Sequence, residues 1–310
     1  MLNIPLSTRS NRLIFLFGPT GVGKTALLTQ LFTKNFAVVN ADSKQIYRYM
    51  NIGSAKPEPA VQQKIPHYLI DIKDPWEQFS VGEFVKLADQ ACLEIRAKGN
   101  IPIICGGTAY YFKQFYFGLP TSPKSDPVVR SNINALVEKH GLPWCYEKLQ
   151  SVDPVSAKRI HPADSYRITR ALEVYETSGR PLSSYKIPNQ AREGMNPLII
   201  GLTRDKKELE ERIIQRVEAM FAEGLEQEIE RLMAMGAQED WPGMQGIGYR
   251  EFFKAQKEPT LGKADIMHLI IRNSRLYAKR QMTFFRTLPH VNWVHPDDTA
   301  TLKGLLEPYL

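Results

Sequence analysis

The sequence predicts an α/β protein, a parallel-sheet core interrupted by an all-helical insertion and resumed after it. Three observations carry this. Short apolar runs recur at Leu13–Phe17, Phe36–Asn40, Ile101–Cys105 and Pro197–Thr203 with helical-period segments between them, the alternation that builds a parallel sheet. From 119 to 197 that rhythm stops, broken by Pro120, Pro123 and Pro127, and only helical patterns remain. The first apolar run also leads directly into a glycine-rich loop that opens a helix. The domain boundaries follow as 1–118 for the first part of the core, 119–197 for the insertion and 198–310 for the second part.

The loop reads Gly18, Pro19, Thr20, Gly21, Val22, Gly23, Lys24, Thr25, a full match to G-x-x-x-x-G-K-[ST]. Strand before and helix after are the context of a P-loop, so the core is P-loop NTPase-like. Glycines let several N–H groups converge on one anion, and the helix N-terminus adds its positive dipole end. Lys24 can reach a terminal phosphate and the Thr25 hydroxyl can hold Mg²⁺. The motif implies a di- or triphosphate and leaves open whether a phosphoryl group moves.

The second strand delivers Asp42, Ser43, Lys44 and Gln45 at its C-terminal end, the edge where open α/β sheets bind ligands. Asp42 is either a general base or metal partner, or a helix N-cap. An irregular stretch over 48–66 follows, then His67–Ile72 as a third strand. A helix over Phe79–Arg96 has Ser80 as N-cap. Gly106-Gly107-Thr108 ends the next strand, as a close approach to a ligand or as a plain turn.

In the insertion, Asp126-Pro127 and Asp153-Pro154 read as N-cap plus first-turn proline. His161-Pro162-Ala163-Asp164 opens a helix carrying Arg167 and Arg170 on one face, ended by Gly179. After Thr203 a long helix opens with an expected capping box, Asp205 and Glu208. Its Arg212 and Arg216 either flank a working face or serve a surface ion pair between Glu208 and Arg212. Met244–Arg250 is expected to be a turn with exposed backbone. Residues 266–286 carry Arg272, Arg275, Lys279, Arg280 and Arg286 with no acidic residue. That is either a solvated face or a nucleic-acid contact, and the missing opposite charges favour contact.

With 43% hydrophobic and 24% charged residues, the composition is that of an ordinary globular protein. A net charge of +7 permits a polyanionic partner without requiring one. Cys92, Cys105 and Cys145 are odd in number, widely spaced and without zinc-ligand spacing, which points to a reduced, cytoplasmic setting. No apolar stretch is long enough to span a membrane, and the residues before Leu13 form a polar lead-in rather than a signal peptide.

Taken in order, GPTGVGKT, NADSKQIYRYMNIGSAKP, GGTAYY, RITRALEVYETSGRPLS, GLTRDKKELEERI, MQGIGYRE and AKRQMTFFR resemble the motifs of the tRNA dimethylallyltransferases, or tRNA isopentenyltransferases. The resemblance runs from Leu13 to Trp293, and the lack of a zinc finger matches the bacterial form. It implies transfer of a dimethylallyl group from dimethylallyl diphosphate to N6 of the adenosine 3′ of the tRNA anticodon, with Mg²⁺ and by a monomer. Gly18–Thr25 would then hold the donor's diphosphate, and Asp42 would take the proton from the adenine amine. Ser43, Lys44 and Gln45 would lie against the extruded base, Thr108 at the reacting channel, and Arg216 by the departing diphosphate. Arg130, Tyr166, Arg167, Ile168, Thr169 and Arg170 would contact tRNA. So would Gln245, Gly246, Ile247, Gly248, Tyr249 and Arg250, and also Arg275, Lys279, Arg280 and Gln281. Two departures are conservative: Ser54 stands where Thr is usual, and Phe284 where Trp is usual. Two rivals remain. A P-loop kinase leaves the basic helix unused and finds its nearest Walker B acid at Asp71, and a nucleotide-gated RNA-binding protein gives Asp42 no task.

Overall fold

A computed structural model describes residues 12–32 and 35–309; the polar lead-in lies outside the described residues. The chain divides into two compact units, Met1–Tyr116 with Arg192–Leu310, and Phe117–Ala191. Arg192 goes with the first because its guanidinium grips Asp89 at 2.8 and 2.9 Å and its N–H donates to the Tyr116 carbonyl.

In the larger unit, six strands run in the order β3-β2-β4-β1-β5-β6, all parallel. They are β1 (Ile14–Phe17), β2 (Phe36–Asn40), β3 (His67–Tyr68), β4 (Ile101–Gly106), β5 (Leu198–Leu202) and β6 (Asn292–Val294). The central strands are buried on both faces, which is why they read as unbroken apolar runs rather than alternating ones. Helices follow as α1 (Lys24–Leu31), α2 (Pro59–Lys64), α3 (Val81–Ala97) and α4 (Ala109–Phe117). Ser80 and Glu83 close a full capping box on α3. The strand expected over His67–Ile72 is only two residues long, because Leu69 and Asp71 take left-handed backbone (φ 62° and 55°) and leave the ladder.

The helical unit holds α5 (Pro127–His140), α6 (Leu142–Val152), α7 (Pro154–Ala157) and α8 (Ser165–Ser178). Asp126, Asp153 and Asp164 cap three of them through their carboxylates, and Gly179 ends α8 at φ 66°. Ile133, Cys145, Leu149, Ile168 and Leu172 form its core. All three cysteines of the chain are free and buried.

The second part of the sheet unit adds α9 (Lys206–Ala222), α10 (Leu225–Ala234), α11 (Arg250–Lys257), α12 (Lys263–Phe285) and α13 (Thr299–Leu306). The expected capping box on α9 does not form: Asp205 makes no side-chain cap, because Glu208 turns to Arg204 and His295. Helices α9 to α12 pack a core around Ile46, Met50, Val217, Met244, Tyr249 and Ile270, while α13 packs through Leu302 and Leu306 on the central strands.

A buried carboxylate ties that core to the irregular stretch after β2. Glu228 on α10 is 1% exposed. It accepts from the N–H groups of Asn51, Ile52 and Gly53 at 2.8, 2.8 and 3.1 Å, and from the Tyr249 hydroxyl at 2.8 Å. Three backbone donors that no ladder uses are thereby satisfied by one side chain. Glu228→Gln keeps the shape, but its amide nitrogen can only donate. It is expected to lower stability by about 1–3 kcal/mol, the cost of leaving buried donors unpaired, read as a lower urea midpoint. An unchanged midpoint would show that water replaces the carboxylate freely.

Candidate active site

The strand order decides what meets. β4 lies between β1 and β2, so the P-loop after β1, Asp42 after β2 and Thr108 after β4 end side by side at the carboxyl edge of the sheet. The fit there is close. A Cβ on Gly106 would lie 2.2 Å from the Ala41 carbonyl oxygen, so the glycine serves an approach by the protein's own backbone. Ala41 N–H donates to Cys105 O at 2.7 Å, and Thr108 N–H donates to Ala41 O at 3.1 Å. The Thr108 hydroxyl accepts from Ser43 N–H at 2.9 Å.

No helix follows Asp42. Its Oδ1 instead accepts from Lys44 N–H, two residues on, at 2.9 Å, which makes an Asx turn. The helix-cap alternative is therefore removed. Three cations feel the charge of this carboxylate. Lys24 is pushed down to about 8 by burial, with the charge of Arg216 adding to the shift and Cys105 and Asp42 opposing it. Lys44 is likewise pushed down to about 8 by burial, and Asp42 opposes. Burial lowers the Arg216 guanidinium too, and Asp42 again opposes. Asp42 is the one carboxylate whose charge is felt at all three. The Tyr277 phenol, on α12, is raised by burial and then by Asp42.

The P-loop has its expected form. Gly21 and Gly23 sit at φ 81° and 108°, conformations in which a side chain is strained. Lys24 Nζ donates to Gly18 O and Pro19 O at 2.9 and 3.1 Å. Thr25 is exposed on the first turn of α1. The loop is clamped from two sides. Gln281 on α12 is 4% exposed; its Oε1 accepts from Thr20 N–H at 2.9 Å and its Nε2 donates to Gly107 O at 2.7 Å. On the other side Arg204 Nε donates to Val22 O at 2.9 Å and Arg212 Nε to Gly21 O at 2.8 Å. The expected Glu208–Arg212 pair is thus replaced by two arginines holding the loop. Arg204 is held in turn by both oxygens of Asp297 at 3.0 Å, by Glu208, and by His295 at 3.3 Å. Glu208, His295 and Asp297 are close enough to share a cation, and the guanidinium between them already supplies that charge.

Other site residues divide by accessibility. Lys44 Nζ donates to Pro242 O at 2.7 Å, and Gln45 Nε2 donates to Ala55 O at 3.0 Å. Of Gln245, Gly246, Ile247, Gly248, Tyr249 and Arg250, only Gln245 and Arg250 are exposed, so the turn does not present the open backbone expected of it. Tyr249 is fully buried against Glu228, and Glu251 fixes the turn by accepting from Gly248 N–H and Asn273 Nδ2 at 2.8 and 2.7 Å. Buried Tyr249, Gln281 and Ile168 have no face to offer an RNA. Arg272, Arg275, Lys279 and Arg280 along α12, and Arg286 just past its end, are exposed, and none forms an ion pair among the described residues. In the helical unit Tyr166 is 66% exposed, with Arg130 over its ring at 5.7 Å. Arg167 is exposed, whereas Arg170 is taken by Glu173 at 3.1 Å and by Pro123 O. Asp71, the nearest Walker B candidate, pairs with Lys56 at 2.5 Å. Arg204 falls within the run GLTRDKKELEERI but carries no role in the sequence reading; its position just past a strand's carboxyl end was the available sign.

The chain matches known proteins over most of its length. The family model described as IPPT, IPP transferase, matches residues 45–288. A tRNA dimethylallyltransferase of Borreliella burgdorferi is 42% identical over 291 residues, 94% of this chain and 94% of the relative. A full-length tRNA isopentenylpyrophosphate transferase of Bacillus halodurans has a crystal structure that superposes with a TM-score of 0.67 at 35% identity, covering 96% of this chain and 94% of that one. A eukaryotic dimethylallyltransferase acting on tRNA superposes with a TM-score of 0.78 at 26% identity, over 96% of this chain and 77% of that one. With the family model matched over residues 45–288 and relatives about 40% identical over most of the chain, the chain belongs to the IPP transferase family.

Proposed function

We propose that the protein transfers a dimethylallyl group from dimethylallyl diphosphate to N6 of the adenosine 3′ of the anticodon in tRNA and releases diphosphate. The observation that carries this reading is the single carboxylate of Asp42 set among Lys24, Lys44 and Arg216 at the mouth of the P-loop. Diphosphate leaves once its charge is neutralised, and Lys24, Arg216 and the loop N–H groups aim positive charge at it. The adenine amine is a poor nucleophile and gains from a carboxylate that accepts its proton as the C–N bond forms. Asp42 does this with its orientation fixed by the Lys44 N–H. Thr108 lines the channel beside it.

Thr25 suits Mg²⁺: its hydroxyl stands exposed next to Lys24, and Mg²⁺ takes one or two protein oxygens together with substrate phosphate and water. When bound, the ion would neutralise charge on the departing diphosphate. The target base lies in a stacked loop and is flipped out to be reached. Arg275, Lys279 and Arg280 on α12, with Gln245, Arg250, Arg130, Tyr166, Arg167 and Thr169, form the proposed tRNA contacts, and Ser43, Lys44 and Gln45 line the place of the extruded base. Gln281 positions the P-loop instead. The protein acts as a cytoplasmic monomer; among the described residues no helix is long and apolar enough to cross a membrane.

Asp42→Asn preserves the Asx turn and removes the proton acceptor together with its charge. Single-turnover transfer is expected to fall about 10²- to 10⁴-fold, measured with both substrates saturating so that any change in affinity drops out. A rate within a few-fold of the parent would remove Asp42 from the chemistry.

The lowered Lys24 gives a pH signature. Its protonated form binds the diphosphate, and burial brings deprotonation down to about 8 in the free protein. Donor affinity, measured by calorimetry without RNA or divalent cation, is expected to be level below pH 8 and to weaken above it. Lys24→Arg should abolish that fall and Lys44→Arg should leave it. A fall that persists in Lys24→Arg would assign it elsewhere.

Replacing Arg272, Arg275 and Lys279 by Gln together should weaken tRNA binding and flatten its salt dependence. Each lost phosphate contact takes about 0.7–0.9 from the log–log slope. An unchanged slope would mean that α12 faces solvent.

A further inference from the structure

Three loops of the larger unit are laced together beside Asp42. Arg48 N–H donates to Lys73 O at 2.8 Å, Gly243 N–H to Pro75 O at 2.9 Å, and Lys44 Nζ to Pro242 O at 2.7 Å. Their surface carries aromatic rings where a loop normally carries polar groups. Trp76 is 46% exposed, and Trp241 stands edge-on to it with ring centroids 5.2 Å apart. Tyr49 is 49% exposed, while its neighbours Tyr47 and Met50 are buried. Tyr49 also adopts left-handed backbone at φ 67°, which is strained for a residue with a Cβ and ordinary for glycine. The strain turns a large ring out into water, so packing does not account for it. Strain held against the local preference points to a task.

We infer that Tyr49 and Trp76 form a stacking platform for unpaired nucleobases next to the one that reacts at Asp42, an inference that rests on the prenyl-transfer reading. Single-stranded RNA loops are gripped by aromatic faces that take any base, with cationic groups on the backbone. Two half-exposed arginines stand by: Arg48 pairs with Asp74 at 3.1 Å and Arg250 with Glu251 at 3.3 Å, and their side chains keep 43% and 45% of their surface open to a backbone phosphate. Glu239 is held by Lys257, and Asp240 is exposed. Trp241 packs against the Trp76 indole at a steep interplanar angle of 64°, and Trp76 keeps nearly half of its surface open. Continuity with the Asp42 loop through Lys44 singles out an RNA loop as the occupant.

The test uses the full chain and a synthetic anticodon stem-loop RNA. Tyr49→Gly should keep or raise the thermal midpoint, since glycine relieves the strain, and yet weaken RNA affinity about 5- to 150-fold, the usual worth of one stacked base. A purely structural tyrosine would lose stability and affinity together or neither. Indole fluorescence should be quenched when the RNA binds, and Trp76→Leu should lose that quench and a similar share of affinity with donor binding intact. Parental RNA affinity in both variants, or a Trp76→Leu effect on self-association alone, would overturn the platform while leaving prenyl transfer standing. Failure of the parent protein to bind or modify the RNA would instead overturn the reading on which it rests.

Discussion

Everything at this site depends on one electrostatic arrangement: a single carboxylate, Asp42, facing cations that burial has made reluctant to stay charged. Desolvation pushes Lys24, Lys44 and Arg216 toward their neutral forms, and Asp42 pulls each back. On the proposed reading, an arriving diphosphate would supply negative charge to Lys24 and Arg216 in a place of low dielectric. Asp42 would then no longer be their sole counter-charge, so the proposed anion cradle and the proposed base are linked by their mutual fields.

The fold supplies that coupling through strand order. Inserting β4 between β1 and β2 brings three strand ends to one edge, and Gly106 lets the Ala41 backbone, just before Asp42, reach Thr108. The P-loop is then fixed by side chains from distant parts of the chain, Gln281 on one side and Arg204 and Arg212 on the other. A buried glutamate on each of α10 and α11, Glu228 and Glu251, does the same for the loops around it. Irregular backbone near a site needs such partners, since it has no ladder to satisfy its polar groups.

Much of this was legible in the sequence because the signals are local. The P-loop, the buried strands, the Ser80 capping box and the aspartate–proline helix starts all announce themselves within a few residues. What could not be read depends on partners far away along the chain. Asp205 and Glu208 have capping-box spacing, but Arg204 and His295 compete for Glu208 and win. His67–Ile72 has strand composition, but the chain turns left-handed at Leu69 and Asp71. Tyr249 and Gln281 look like contact residues in a motif, and burial alone shows that they position other groups. Exposed arginines and buried ones are indistinguishable by spacing, so Arg170 and Arg204 could not be told from Arg167 and Arg275.

The most direct measurement follows the two halves of the donor. Dimethylallyl diphosphate carrying a carbon label in the prenyl group and a phosphorus label in the diphosphate would be incubated with the protein, Mg²⁺ and an anticodon stem-loop RNA. Prenyl transfer requires all reacted carbon on the adenosine 3′ of the anticodon and all reacted phosphorus as free diphosphate, in equal amounts. Phosphorus appearing on any acceptor, or carbon absent from the RNA while diphosphate is released, would contradict it.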